Sequence, residues 1–413
     1  MMKVSIKKCE KLRGTIKITG SKNSVLPILA ISLLTKKKMT LTNVPMISDV
    51  YNMLHLLRHL GVKIKLNFDK NTVILKRKKI KNELLCDEVN KIRASYYLYP
   101  GLIHNNKESY SHFPGGCNFT DRPINYHLDI FRQTGVKIEI KDQIRFSKTK
   151  LKGANFEFST PSVGATINAI LHTVLIKGKS VIKNQPIEPE IKDVISCLNK
   201  MGANIKIEDN NIIIKGTRKL KKVKYEIMPD RIELGSYLLL ASVIPSQITF
   251  TNTLDESIEY LRPYLNKLNI NYIYNNNKIL LDTSGKINGL NLEIMPYPSF
   301  PTDLQPILCA ALLASSQEST IIDKVYPKRI SHLHEMRKME GNLKYSDGKI
   351  IIKPSVLKGT CVTAHDLRCG FGLILCACLG QGTTYINNFE VINRGYENII
   401  SKLKAIGVQI NEV

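Results

Sequence analysis

Six apolar segments of this sequence begin with residues that could bind anions. Their first turns are Ser21-Lys22-Asn23, Arg93-Ala94-Ser95, Ser162-Val163-Gly164-Ala165-Thr166, Asp230-Arg231, Thr302-Asp303 and Asp366-Leu367-Arg368. Free N–H groups and the positive dipole at the start of a helix favour anions. Ser, Thr and Asp are also ordinary helix caps, but capping does not explain Lys22, Arg93, Arg231 and Arg368, which the dipole disfavours. The pattern predicts an anion pocket where these helix starts converge.

A cysteine after two adjacent glycines is the other candidate for chemistry. In the segment Phe113-Pro114-Gly115-Gly116-Cys117-Asn118, the glycines allow a loop that exposes the thiol, and Arg122 follows five residues after Cys117. A nearby cation favours the thiolate. Cys117 is therefore predicted to act as a nucleophile or a proton-transfer group. The alternative is an incidental exposed cysteine.

The segments that must position these residues form a sixfold repeat. A strand, an amphipathic helix closed by Gly or Asn, and a strand of alternating polarity recur about every 70 residues. The helices end at Leu60-Gly61, Thr134-Gly135, Met201-Gly202, Leu268-Asn269, Glu340-Gly341 and Ile406-Gly407. The fifth copy is less regular, because Glu340 stands where the others have the capping residue.

Six helices of a second kind lie between these copies and are apolar on almost every face. They are predicted over residues 21–34, 92–103, 162–176, 230–243, 302–314 and 366–379. Helices of this kind must be buried. Each unit is therefore predicted to run strand, buried helix, strand, amphipathic helix, strand, strand.

Six such units predict an α/β fold of two similar domains with three βαβαββ units each. The sixth unit ends at Val413 without its last strand. We expect the N-terminal segment Lys3-Val-Ser-Ile-Lys7 to supply that strand. The predicted domains are therefore residues 22–228, and residues 1–21 together with 229–413.

Composition is typical of a folded, water-soluble protein. Apolar residues make up 43% and charged residues 23% of the 413 residues, which excludes collagen-like, coiled-coil and wholly disordered chains. The net charge of +25 favours encounter with acidic substrates. The basic runs Lys36-Lys37-Lys38 and Lys76-Arg77-Lys78-Lys79 are short and scattered, which argues against nucleic-acid binding.

Targeting and cysteine patterns indicate a cytoplasmic protein without a structural metal. The N-terminus lacks the apolar run of a secretory signal, and Pro245 interrupts the longest uncharged stretch, so no membrane span is expected. The nine cysteines include no C-x-x-C pair. Cys376 and Cys378 lie in an apolar run and are predicted to pack in the core as free thiols.

Many short motifs resemble one family, the UDP-N-acetylglucosamine 1-carboxyvinyltransferases, over essentially the whole chain. The motifs are Gly20-Ser-Lys22-Asn23, Leu26-Pro-Ile-Leu-Ala30, Leu41-Thr-Asn-Val-Pro45, Arg93-Ala94-Ser95, Pro114-Gly-Gly-Cys117, Arg122-Pro123, Ser162-Val-Gly-Ala-Thr166, Glu188-Pro-Glu190, Pro229-Asp-Arg231, Phe300-Pro-Thr-Asp303, Asp366-Leu-Arg368 and Arg394-Gly-Tyr-Glu397. The resemblance implies an inside-out α/β barrel of two three-unit domains, with the active site in the cleft between them.

The resemblance also implies a reaction, which is the first step of bacterial peptidoglycan synthesis. The enolpyruvyl group of phosphoenolpyruvate passes to the 3-hydroxyl of UDP-N-acetylglucosamine, with release of phosphate, by addition and then elimination. By the family's pattern, Lys22, Arg122 and Arg394 hold phosphoenolpyruvate, together with Asn23. Cys117 protonates the methylene carbon of phosphoenolpyruvate and can form a covalent thioether with this substrate. Asp303 is the base for the sugar hydroxyl.

The family's pattern for the nucleotide sugar maps onto a further set of residues. They are Asn23, Arg93, Arg122, Pro123, Ile124, Asn125, Tyr126, Thr160, Ser162, Val163, Gly164, Asp303 and Val325, with Arg231, Asp366 and Arg368 in support. The turn at 160–164 suits a diphosphate, because its backbone N–H groups open a helix. Asn125 stands where many members have Asp, which replaces an acceptor by an amide that also donates.

The resemblance implies an enzyme with two small-molecule substrates, and we expect a monomer with no cofactor, no metal, no nucleic acid and no membrane partner. Three alternatives remain open. The related 3-phosphoshikimate 1-carboxyvinyltransferase shares the architecture but lacks the Pro-Gly-Gly-Cys loop, and a basic nucleic-acid binder on this fold has only the charge in its favour. A member without activity is the third, although the proposed catalytic residues are all present.

Overall fold

The computed structural model describes residues 2–115 and 123–413. Within these residues the chain divides into two compact units. The N-terminal unit is Gly20–Met228, and the C-terminal unit is residues 2–19 with Pro229–Val413. The chain passes from the C-terminal unit into the N-terminal unit between Thr19 and Gly20, two residues before the expected boundary between residues 21 and 22. Each unit has its own cluster of buried apolar side chains.

The described residues form short strands that alternate with helices. The strands are β1 Val4–Lys7, β2 Leu12–Lys17, β3 Met39–Thr42, β4 Val62–Asn67, β5 Thr72–Arg77, β6 Glu83–Leu84, β7 Glu108–Ser111, β8 Val136–Ile140, β9 Ile144–Lys148, β10 Asn155–Glu157, β11 Lys179–Lys183, β12 Asn204–Glu208, β13 Asn211–Lys215, β14 Val223–Glu226, β15 Ser246–Thr251, β16 Tyr272–Asn275, β17 Lys278–Thr283, β18 Asn291–Ile294, β19 Ser319–Asp323, β20 Asn342–Ser346, β21 Lys349–Lys353, β22 Cys361–Thr363, β23 Thr383–Asn387 and β24 Ile410–Glu412. The α-helices are α1 Lys22–Ala30, α2 Ser48–His59, α3 Tyr99–Asn105, α4 Asn125–Gln133, α5 Val163–Thr173, α6 Pro189–Lys200, α7 Arg231–Ser242, α8 Glu256–Glu259, α9 Arg262–Lys267, α10 Gln305–Leu312, α11 Ser331–Lys338, α12 Leu367–Leu379 and α13 Ile399–Ala405. Short 3₁₀ segments are Ile31–Leu33, Asp87–Lys91, Arg93–Leu98, Thr302–Leu304 and Phe389–Arg394.

Within residues 2–115 and 123–413 the strands form six four-stranded sheets of one topology. Their orders are β14-β3-β5-β4, β6-β7-β9-β8, β10-β11-β13-β12, β2-β15-β17-β16, β18-β19-β21-β20 and β22-β23-β1-β24. In each of these sheets the first two strands are parallel and the remaining pairs are antiparallel. In four of them a buried helix connects the two parallel strands, as a parallel connection requires. In β14-β3 and β2-β15 the two parallel strands come from distant parts of the chain. The α/β fold of repeated units predicted from the sequence is confirmed.

The N-terminal strand completes the last sheet. β1 lies between β23 and β24, with Val4 opposite both Ile386 and Glu412. It takes the place that β13 has in its own sheet, as expected for the segment that supplies the missing strand. In the same way β14, the last strand of the N-terminal unit, pairs with β3 and completes the first sheet of that unit.

The six apolar segments are buried helices. In α7 every residue from Arg231 to Ser242 is buried, and in α12 almost every residue is. The second and fifth of these helices begin as 3₁₀ turns, Arg93–Leu98 and Thr302–Leu304, before becoming α3 and α10. No helix in the described part of the chain is long and apolar enough to cross a membrane.

The amphipathic helices end as predicted, with a residue in the left-handed conformation. Gly61, Gly135, Gly202 and Gly407 have φ between 90° and 102°, and Asn269 has φ of 61°. Glu340 ends α11 with φ of 67°. Gly341 follows without a positive φ and is needed for a different reason, because an added Cβ there would lie 2.8 Å from the carbonyl oxygen of Met336.

The described cysteines are free thiols, and most are buried. Cys376 and Cys378 are fully buried in the apolar core, as the sequence predicts. Burial raises the pKa of the Cys376 thiol, so it packs as a small apolar side chain.

We expect Glu340→Gly to raise the free energy of unfolding by about 1 kcal/mol, because a left-handed backbone strains any residue with a Cβ, and the greater backbone freedom of unfolded glycine offsets part of the gain. Glu340→Ala is the matched control. It keeps the Cβ and removes only the exposed ion pair with Lys358, so it should change stability by less than about 0.5 kcal/mol. Urea unfolding measures both, and equal stability of the two variants would contradict the prediction.

Candidate active site

The carboxylate of Asp303 lies at the start of the fifth buried helix and is bound by two arginines. Arg329 donates from Nη1 to Oδ1 at 2.9 Å, and Arg368 donates from Nη2 to Oδ2 at 3.1 Å. The arginine side chains are 5% and 4% exposed, whereas the Asp303 side chain is 29% exposed. Two adjacent cations favour the ionised carboxylate. Asp303 is therefore a charged group that solvent can still reach.

The carboxylate of Asp323 fixes the turn that precedes Arg329. Its Oδ1 accepts from the N–H groups of Val325 at 2.9 Å and Tyr326 at 2.8 Å. Its Oδ2 accepts from the hydroxyl of Thr302 at 2.7 Å. Arg329 also donates to the carbonyl oxygen of Thr302 at 2.8 Å. The half-buried Val325 is thus tied to the 3₁₀ turn that carries Asp303.

Arg368 occupies the first turn of α12, directly after a helix cap. The carboxylate of Asp366 accepts from the N–H groups of Arg368 and Cys369 at 2.7 and 3.0 Å. The guanidinium of Arg368 also donates to the hydroxyl of Tyr396 at 2.9 Å. Burial by itself lowers the pKa of Arg368, but Tyr396, Asp303 and Asp230 together raise it above the ordinary arginine value. Arg368 is therefore a permanent cation.

Arg231 and Arg394 lie in the C-terminal unit, as Asp303 does. Asp230 caps α7 by accepting from two backbone N–H groups at 2.8 and 3.1 Å. Arg231 is buried, with its guanidinium 4.8 Å from the ring centroid of Tyr260 and 5.4 Å from that of Tyr297. Arg394 is half-buried at the end of a 3₁₀ segment. Capping is thus the role of Asp230 and Asp366, while the arginines beside them serve other contacts.

In the N-terminal unit, Lys22 at the start of α1 pairs with Asp49. The Nζ–Oδ2 distance is 2.6 Å, and the two side chains are 13% and 4% exposed. Asn23 beside it is exposed. Gly20 allows the chain to enter this turn, because an added Cβ would lie 1.8 Å from the carbonyl oxygen of Asn43.

The turn before α5 joins several of the residues predicted to bind the nucleotide sugar. The Ser162 hydroxyl caps the helix by accepting from Ala165 N at 3.4 Å. The Tyr126 hydroxyl contacts Ser159 and accepts from Thr160 N at 3.2 Å. The N–H groups of Val163 and Gly164 lie in the first turn, where a helix offers them no internal partner. They are the donors that a diphosphate could use.

Side chains packed beneath this turn leave room only for glycine at 164. An added Cβ would lie 2.7 Å from the Tyr96 hydroxyl and 3.1 Å from Cε1 of His127. The side-chain amide of Asn168 holds both residues in place, because it lies 2.7 Å from His127 Nδ1 and donates to the backbone carbonyl oxygen of Tyr96 at 3.2 Å. Burial, and then the charge of Arg93, lower the pKa of His127 to about 3, so this imidazole is neutral.

Two predicted catalytic or substrate-binding residues, Cys117 and Arg122, lie outside the described residues. The described chain resumes at Pro123, which is exposed, and Ile124, which is half-buried. Asn125 follows as the exposed first residue of α4.

Comparison with known proteins identifies the family. The chain is 36% identical over 416 residues to the UDP-N-acetylglucosamine 1-carboxyvinyltransferase of Halothermothrix orenii. It is 35% identical over 418 residues to the enzyme of that name from Streptococcus pneumoniae. Both matches cover 100% of each chain. The model of the EPSP synthase (3-phosphoshikimate 1-carboxyvinyltransferase) family matches residues 6–403.

The chain belongs to the UDP-N-acetylglucosamine 1-carboxyvinyltransferases, within the EPSP synthase family. Solved structures agree in fold. The enolpyruvyl transferase NikO from Streptomyces tendae has a TM-score of 0.91 at 18% identity and covers 100% of this chain and 99% of its own. An EPSP synthase from Acinetobacter baumannii has a TM-score of 0.79 at 15% identity and covers 100% of both chains.

In each unit of this carboxyvinyltransferase, residues that sequence reasoning missed contact the predicted site residues. Arg329 and Asp49 bind a predicted site residue directly, and Tyr396 binds one through its hydroxyl. Tyr396 stood within a recognised motif but had no assigned role. Arg329 lies in an irregular segment, and in a chain with 60 Lys and Arg residues no local signal distinguishes it.

We expect Asp303→Asn to lower the free energy of unfolding by about 2 kcal/mol, because it leaves two buried guanidiniums without their counter-ion. The matched control is Asp255→Asn, because the 2.7 Å pair of Asp255 with Arg262 is exposed and its loss should cost less than about 0.5 kcal/mol. Thermal and urea unfolding compare the two variants. An equal effect of both substitutions would show that burial does not set the strength of the Asp303 contacts.

Proposed function

We propose that this enzyme transfers the enolpyruvyl group of phosphoenolpyruvate to the 3-hydroxyl of UDP-N-acetylglucosamine and releases inorganic phosphate. The observation that carries the proposal is the full-length similarity to enzymes named for this activity. This reaction begins peptidoglycan synthesis. The anion-binding character of the helix starts suits substrates that carry phosphate and carboxylate groups.

The proposal assigns the base to Asp303. Its carboxylate is partly exposed and bound by two buried arginines, so it is ionised and can accept the proton of the sugar hydroxyl. The sugar oxygen then bonds to C2 of phosphoenolpyruvate while C3 gains a proton from Cys117. In the elimination step the C2–O bond to phosphate breaks and C3 loses a proton, which restores the double bond.

The proposal assigns phosphoenolpyruvate to Lys22, Asn23, Arg122 and Arg394. The position of Lys22 in the first turn of α1, fixed by Asp49, supports its part in this set. A cation that a buried carboxylate already holds in place loses little conformational freedom when an anion binds.

The nucleotide sugar is assigned to Arg93, Asn125, Tyr126 and the turn of residues 160–164, with Pro123, Ile124 and Val325. The helix start at Val163, together with the close packing beneath Gly164, supports a diphosphate on this turn. The side-chain amide of Asn125, exposed at the start of α4, is assigned to the uracil.

The proposal also includes a working form. We infer a monomer in the cytoplasm, with residues 22–228 as the domain that carries the cysteine loop and residues 1–21 with 229–413 as the domain that carries the base. The contacts of Asp303 with Arg329 and Arg368 come from one chain, which is compatible with a monomer. Size-exclusion chromatography with light scattering tests this assignment.

We expect the purified protein to release phosphate from phosphoenolpyruvate only when UDP-N-acetylglucosamine is present. Colorimetric phosphate measurement with that acceptor, with shikimate 3-phosphate and with neither tests this. Asp303→Asn should slow the reaction by about a hundredfold, since general base catalysis contributes that order of acceleration. Release with shikimate 3-phosphate would instead assign the related activity. If neither acceptor supports phosphate release, the inactive or nucleic-acid-binding alternatives are favoured, and the latter predicts a steep salt dependence of RNA or DNA affinity.

We expect Cys117→Asp to retain turnover, because a carboxylic acid can also donate the proton, and to lose sensitivity to the thiol-alkylating epoxide fosfomycin. Enzyme activity after incubation with fosfomycin measures both effects. Cys361→Ser is the matched control, because Cys361 is an exposed thiol outside the site and its loss should leave inhibition intact. Resistance of the unmodified enzyme to fosfomycin would contradict the role of Cys117.

A further inference from the structure

A chain of buried hydrogen bonds runs from Arg368 away from Asp303. The guanidinium Nη1 of Arg368 lies 2.9 Å from the Tyr396 hydroxyl, which lies 2.8 Å from the Ser236 hydroxyl. Ser236 donates to the carbonyl oxygen of Ile232 at 2.7 Å. The three side-chain residues are 3%, 1% and 0% exposed.

The donors and acceptors of this chain have only one arrangement. Ser236 uses its single proton on the carbonyl oxygen of Ile232, so it accepts from Tyr396. Arg368 can only donate, so the Tyr396 oxygen accepts from it. Burial raises the pKa of Tyr396, which keeps its proton in place. The chain therefore runs from Arg368 to Tyr396, to Ser236 and to α7.

We propose that Tyr396 is a positioning residue for the reaction, which fixes the guanidinium of Arg368 and through it the carboxylate of Asp303. The inference rests on the proposed function, in which Asp303 is the base. Tyr396 follows Arg394 by two residues, so one short segment carries both a proposed ligand of phosphoenolpyruvate and the group that orients the base.

The contacts of Arg368 explain why this hydroxyl matters. Arg368 makes two side-chain hydrogen bonds, one to Asp303 and one to Tyr396. Its Nε is buried and has no hydrogen-bond partner among the described residues. Without the Tyr396 hydroxyl, the guanidinium would retain only the bond to Asp303 and could rotate to satisfy its remaining donors. Asp303 would then lose one of the two arginine contacts that orient its carboxylate.

Among the described residues of the C-terminal unit, charged groups from several elements act on Asp303 or on Arg368. Arg329 and Arg368 contact the carboxylate, and Asp323 lies one hydrogen bond away through Thr302. Asp230 at the start of α7 contributes to the high pKa of Arg368. Both arginines favour the ionised carboxylate. A weaker contact with Arg368 therefore raises the pKa of the Asp303 carboxyl.

The test is Tyr396→Phe in the full-length enzyme, with Tyr237→Phe as the matched control. Tyr396→Phe keeps the ring that packs 4.7 Å from Phe371. Tyr237 packs on the same phenylalanine at 5.2 Å, and its buried hydroxyl has no hydrogen-bond partner among the described residues. We expect kcat to fall about tenfold in Tyr396→Phe, the typical effect of losing a hydrogen bond to a charged group, and to be unchanged in Tyr237→Phe.

The pH profile separates positioning from a general loss of structure. A base with a raised pKa is protonated at a higher pH, so the acid limb of kcat against pH should move upward in Tyr396→Phe, and the rate should recover in part as the pH rises. Folding is monitored by circular dichroism and thermal unfolding. A fall in kcat with an unmoved acid limb, or an unchanged kcat, would overturn the proposal.

A double-variant cycle tests whether the chain acts as one unit. We expect Ser236→Ala to lower kcat as well. The double variant Tyr396→Phe/Ser236→Ala should have a kcat no lower than that of Tyr396→Phe alone, because the first substitution already breaks the chain of hydrogen bonds. Multiplying effects would contradict the inferred chain. An unmodified enzyme with no activity on UDP-N-acetylglucosamine would refute the proposed function, whereas an active one with an unaffected Tyr396→Phe variant would refute only the role of Tyr396.

Discussion

The pairing of Asp303 with two buried arginines is the interaction on which the described site depends. Neither guanidinium could remain buried at low cost without a carboxylate, and the carboxylate would not be held in one orientation without both guanidiniums. The hydrogen bonds from Arg329 to Thr302 and from Arg368 to Tyr396 offset part of the free-energy cost of burying these charges. The outcome is a charged group that is fixed in direction and still partly open to solvent, which a general base requires.

The sixfold repeat supplies the rigid frame for this arrangement. Helices that are apolar on all faces carry polar side chains at their ends, and several of the proposed site residues lie in their first turns. Caps such as Asp230 and Asp366 satisfy the backbone of those turns, which frees the adjacent arginine side chains for contacts with other elements. Repetition of one unit thus produces a series of similar helix starts, each able to carry a different side chain.

In the N-terminal unit, packing beneath Gly164 shapes the turn that we propose for the diphosphate. Tyr96, His127 and Asn168 lie beneath Gly164 and exclude any side chain there. His127 is buried and neutral, since its pKa is about 3, so it adds no charge near the turn. The backbone N–H groups at this helix start favour an anion.

The sequence by itself determined the repeat, the two kinds of helix, the left-handed helix ends and the residues at the helix starts. These features follow from polarity along neighbouring positions and from the backbone freedom of glycine and asparagine, which are local properties. Only the tertiary structure decided that Arg329 and Tyr396, rather than other basic or aromatic residues, hold Asp303 and Arg368, and that Ser236 completes the chain. These contacts join residues 26, 28 and 160 positions apart, and such pairings arise from the packing of helices that no local pattern encodes.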